Sequence, residues 1–106
     1  MTVTVTLQFF DGCPSWQTAR ERLVEAARQV GVDLVVQLEQ VETLDDAERL
    51  GFTGSPTLLV DGTDMFPSSG APAALACRVY RTPAGLAGSP ATEQLAAVLA
   101  KHAGVS

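Results

Sequence analysis

The chain carries one histidine, His102, and two cysteines, Cys13 and Cys77. Those three residues do not make a zinc site at any usual ligand spacing. Positive charge is also scarce: seven Lys and Arg stand against twelve Asp and Glu, for a formal net charge of −5. With no basic stripe to offset that, nucleic acid is not an expected partner. No apolar run approaches the length of a membrane span, so no membrane partner is expected. The first residues lack a basic region ahead of an apolar block and instead alternate Thr with Val, which is the pattern of a strand and not of a signal peptide. A cytoplasmic location is the expectation. There is no glycine-rich phosphate loop, no Ser/His/Asp arrangement and no nucleotide fingerprint, so no cofactor is implied. In a reducing compartment, two thiols in a chain this small point to redox or ligand chemistry rather than to a structural staple.

What is present suits one domain over residues 1–106. Apolar residues make up 46% of 106, enough for one modest core. Thr2 to Phe10 alternates with period two through Val3, Val5, Leu7 and Phe9, predicting a strand whose Phe9-Phe10 end is covered on both faces. Residues 14–30 carry Trp16, Ala19, Leu23, Ala27 and Val30 at helical spacing, with Arg and Glu on the other side and Gly31 as the stop. Leu34 to Leu38 is a second strand, so the three elements form a βαβ unit. Thr43 is an expected N-cap for a short helix with Leu44, Ala47 and Leu50 on its apolar side, and Phe52 follows as a plug. Gly54-Ser55-Pro56-Thr57 then leads into a short buried strand, Leu58-Leu59-Val60, and a turn at Asp61-Gly62.

Residues 61–89 leave two arrangements open. Either Leu75 to Arg81 forms the second hairpin strand, or Asp64-Met65-Phe66 does and the later island is an extra edge piece. The last helix is expected to start at Ser89-Pro90, with Leu95, Val98 and Leu99 inward and Gly104 closing it. His102, near its end, reads as a solvated residue that favours the helix dipole.

Cys13 sits on the seam between the first strand and the first helix. A thiol at a helix N-terminus meets unpaired N–H groups and the positive dipole end, which favour the thiolate. Cys13 is therefore expected to react faster than Cys77. Asp11 works in the opposite direction, since a nearby negative charge raises a thiol pKa.

In the order of its elements, and in the motifs Cys13-Pro14-Ser15-Trp16 and Ser55-Pro56-Thr57, the chain resembles the thioredoxin-like superfamily. The resemblance implies an α/β fold of order βαβ-α-ββα, with a central mixed four-stranded sheet flanked by helices. It implies a nucleophile at Cys13, a cis Pro56 packed against it, and a substrate surface formed by Pro14, Ser15, Trp16, Ser55 and Pro56. The implied substrates are thiols or disulfides, either protein or glutathione. The departure lies at Trp16, which replaces the second cysteine of the family's Cys-x-x-Cys and is simply explained as core. Resolution would then fall to an external thiol or to Cys77. If Asp64-Met65-Phe66 completes the hairpin, residues 67–74 can carry Cys77 to Cys13; if 75–81 completes it, they cannot. Two alternatives stand beside thiol–disulfide exchange. One is a non-catalytic thioredoxin-like binding module. The other is thiolate-based handling of a soft metal such as Hg(II) or Cu(I), as in organomercurial-lyase-like relatives, with Asp11 as the acid available to protonate a carbon.

Overall fold

The computed structural model describes residues 2–67 and 72–103. Strand β1 (Thr2–Phe9) runs parallel to β2 (Asp33–Gln40) and antiparallel to β3 (Thr57–Val60), and β3 turns into the short β4 (Thr63–Asp64). The result is one four-stranded mixed sheet of order β2-β1-β3-β4. Helix α1 (Ser15–Val30) connects β1 to β2, α2 (Leu44–Leu50) precedes β3, and α3 (Thr92–His102) ends the described chain. A small separate hairpin, β5 (Tyr80–Thr82) with β6 (Gly85–Ala87), follows the sheet in sequence and precedes α3. Among the described residues no helix is long and apolar enough to cross a membrane.

The alternation of β1 builds the main core. Val3, Val5, Leu7 and Phe9 share one face and pack with Leu58 and Val60 of β3, against Ala19, Leu23, Ala26 and Ala27 of α1 and Leu95 and Leu99 of α3. Phe10, one residue past that stripe, packs in a second cluster with Val41, Ala47 and Phe52. The double Phe thus serves two cores, as period two requires. Phe52 is the fully buried plug that the sequence predicts. Leu44 departs from the predicted stripe of α2 and stays half exposed.

Helix boundaries follow local chemistry in two cases of three. Thr43 caps α2, its hydroxyl accepting from the Asp46 N–H at 3.1 Å. Gly31 ends α1 at φ 83°, its N–H returning to the Ala27 carbonyl at 2.9 Å. The third differs: α3 begins at Thr92 with Ala91 as N-cap, not at Ser89-Pro90. Ser89 and Pro90 instead bind the Arg22 guanidinium, which donates to the Ser89 hydroxyl and the Pro90 carbonyl at 3.0 Å each and ties this loop to α1. The predicted closing residue Gly104 lies outside the described residues.

The open choice in residues 61–89 resolves toward the earlier segment. Thr63 pairs with Val60 and Asp64 with Leu59, and the Met65 N–H donates to the Leu58 carbonyl. Of the later island only Tyr80 and Arg81 lie in a strand, β5. The stretch before it, residues 72–79, is a strap laid over the end of the sheet. Ala73 and Leu75 pack it onto the second core.

Candidate active site

The β1–α1 seam is a tight turn. After Asp11-Gly12, the Cys13 N–H donates to the Phe10 carbonyl at 3.0 Å, and Pro14 serves as N-cap with φ −73°, a value its ring already imposes. No acidic side chain occupies the first turn of α1. Cys13 therefore has the positive helix end beside it and is 1% exposed.

The strap is pinned opposite this turn. The Ser55 N–H donates to the Ala76 carbonyl and the Arg78 N–H donates to the Ser55 carbonyl, both at 2.8 Å, so Cys77 pairs strand-like with Ser55. A disulfide joins Cys77 to Cys13, with the Cα atoms 5.8 Å apart. The Cys13 sulfur lies 3.8 Å from the Ser55 carbonyl oxygen. The two thiols singled out in the sequence thus meet, but their exposure runs opposite to the expected reactivity: Cys13 is buried and Cys77 is exposed.

Of the other residues singled out, Ser55 and Pro56 are buried beside this disulfide, and the Ser55–Pro56 bond is cis. The Ser55 hydroxyl has no hydrogen-bond partner among the described residues. Pro14 is exposed at the cap, and Ser15 opens α1. Trp16 is half buried, stacked on Phe9 with ring centroids 4.3 Å apart and packed against the main core, as its place on the helix stripe predicts. His102 pairs with Asp61, Nε2 to Oδ2 at 3.1 Å, in the turn between β3 and β4. No cluster of three or more metal-ligating side chains occurs among the described residues.

Residues the sequence did not flag hold the strap. Arg78 is 9% exposed, and its guanidinium donates to Asp64 Oδ2 at 2.7 Å, to the Thr57 hydroxyl at 3.4 Å and to the Phe66 carbonyl. The same guanidinium sits 4.6 Å from the centroid of the Tyr80 ring. The Tyr80 hydroxyl donates to the Pro56 carbonyl, and burial pushes its phenol pKa well above the usual range. Gly54 permits the approach: at φ 149°, a Cβ there would stand 2.9 Å from the Arg78 Cβ. One signal for this anchor was in the sequence, Arg78 inside the strand-like island Leu75–Arg81.

Comparison with known proteins gives no match. Neither a family model, nor a curated protein, nor a solved structure aligns with the chain. Beside the disulfide opens a cavity of about 560 Å³, which Cys77 lines together with Thr53, Phe66, Pro67, Val79 and Arg81 among others.

Proposed function

We propose that this protein is a thiol–disulfide oxidoreductase of thioredoxin-like fold, cycling between the Cys13–Cys77 disulfide and the corresponding dithiol. The observation that carries the reading is the disulfide itself. It links a cysteine at a helix N-terminus to an exposed cysteine on a strap that pairs with Ser55, the residue before cis Pro56. The sheet order and the Cys13-Pro14-Ser15-Trp16 turn fit that fold, with Cys77 supplying the second sulfur that Trp16 displaces. Thiols and disulfides are the substrate class, and the chemistry needs no cofactor.

The test is multiple-turnover reduction of a disulfide-linked fluorogenic peptide in the presence of dithiothreitol. The full chain should accelerate the reaction over dithiothreitol alone, and the double variant Cys13→Ser, Cys77→Ser should abolish the acceleration. No acceleration by the parent protein would overturn the reading. It would favour the second one, a non-catalytic binding module, which draws on the burial of Cys13 and on the anchoring of the strap through Arg78. Soft-metal binding by the two thiolates requires the reduced form, because in the disulfide both sulfurs are bonded to each other.

A further inference from the structure

We infer that Cys77, and not Cys13, is the sulfur that exchanges with external thiols and disulfides, while Cys13 is the internal leaving and resolving thiolate. The inference rests on the thiol–disulfide reading above and assigns the two roles within it. A thiolate must reach the sulfur it attacks, and the rate also rises as the departing thiol becomes more acidic. Both conditions select the same direction. Cys13 is 1% exposed, closed in between the α1 turn and the strap, with the Ser55 carbonyl 3.8 Å from its sulfur. Cys77 is exposed and lines the cavity of about 560 Å³ that opens between Thr53, Phe66, Pro67 and Val79. When the bond breaks, the electron pair left on Cys13 sits at the N-terminus of α1, where the helix dipole stabilises it; the first turn of α1 holds no acidic side chain, and Asp11, two residues before Cys13, is exposed to solvent.

An external thiolate enters the cavity and bonds to the Cys77 sulfur; the Cys13–Cys77 bond breaks, and its electron pair stays on Cys13 as thiolate. A second external thiolate attacks the outer sulfur of the mixed disulfide, releasing the small-molecule disulfide and leaving Cys77 as thiolate. Two external thiols are oxidised, the protein disulfide is reduced, and the two protons pass through solvent to the protein thiols. In reverse, the Cys77 thiolate attacks an incoming disulfide and Cys13 closes the internal bond. The strap has contacts independent of the disulfide: the Ser55 pairing, the Asp64–Arg78 ion pair and the packing of Leu75. These hold the Cys77 segment opposite Cys13 during the cycle.

Two experiments on the full chain test the order. First, oxidised protein receives a short pulse of 2-mercaptoethanol, is quenched in acid and is mapped by mass after digestion with pepsin; the adduct should lie on Cys77. Second, reduced Cys13→Ser and Cys77→Ser variants react with an aromatic disulfide under native and denaturing conditions. Natively, Cys77 in the first variant should react at least about tenfold faster than Cys13 in the second, and denaturation should remove the difference. An adduct on Cys13, or equal native rates, would overturn the assignment and leave the oxidoreductase reading standing. Loss of neither the disulfide nor the native thiols to these reagents would overturn both.

Discussion

Tyr80 is the only tyrosine in the chain and lies 5% exposed, with its hydroxyl on the Pro56 carbonyl and its ring under the Arg78 guanidinium. Burial is the main cause that raises its phenol pKa; the nearby Arg78 charge works against the rise and Asp64 adds to it. The sign for stability follows from the unfolded chain, where a tyrosine ionises near ~10. Below that pH both states keep the proton and the contribution is fully present. Above it the unfolded state releases its proton first, and stability falls by up to about 1.4 kcal/mol per pH unit until the folded phenol ionises as well. Tyr80→Phe should therefore cost about 1 kcal/mol at neutral pH, through the orphaned Pro56 carbonyl, yet decline less steeply above pH ~10. Urea titrations of the oxidised protein across that range check it. Parallel alkaline limbs for parent and variant would reject this account of Tyr80.

The element that decides the site is the strap, and its fit depends on Gly54. At φ 149° with Arg78 backbone 3.2 Å from an added Cβ, Gly54→Ala must either strain the turn or lift the strap. The expected cost is on the order of 1–3 kcal/mol. Because lifting moves Cys77 away from Cys13, the disulfide should also open at a lower thiol concentration in equilibrium titrations; an unchanged midpoint would separate the strap from the redox pair. This element was also the least legible in the sequence. β1 and α1 could be read because each buries a periodic face, and α2 because Thr43 caps it by a contact three residues away. The strap carries an alternation, Leu75, Cys77 and Val79, that suggests one shared inner face, but Val79 is 62% exposed and Arg78, on the opposite parity, is the buried residue. One paired residue, one long-range arginine and the packing of Ala73 and Leu75 hold it, and nothing within residues 72–79 announces the Asp64, Thr57 or Phe66 that receive Arg78. Ser89-Pro90 misled for a similar reason: a cap-like pair was claimed by Arg22, 67 residues earlier. Cys13 and Cys77 were visible as the only thiols, but which of them is exposed depends on the strap and could not be read from position alone.

On the scale of the molecule, the disulfide ties residues 64 apart in sequence, joining the β1–α1 turn to the segment beyond the hairpin. Closing a loop of that length in the unfolded chain is worth about 4 kcal/mol in the chain-entropy model. A small domain has ~5–15 kcal/mol in total, so reduction should lower stability sharply while leaving both apolar cores intact. Denaturant titration with and without a phosphine reductant measures the difference. Identical midpoints would mean that the bond does not constrain the chain.

The most direct test of the central claim, a reversible Cys13–Cys77 redox pair, is a titration of the native protein in thiol–disulfide buffers of graded ratio, with alkylation and intact mass at each point. The account predicts one two-electron transition, in which a fully alkylated species carrying two labels replaces an unlabelled species two protons lighter than the dithiol. Two thiols that label independently across the whole range would contradict it.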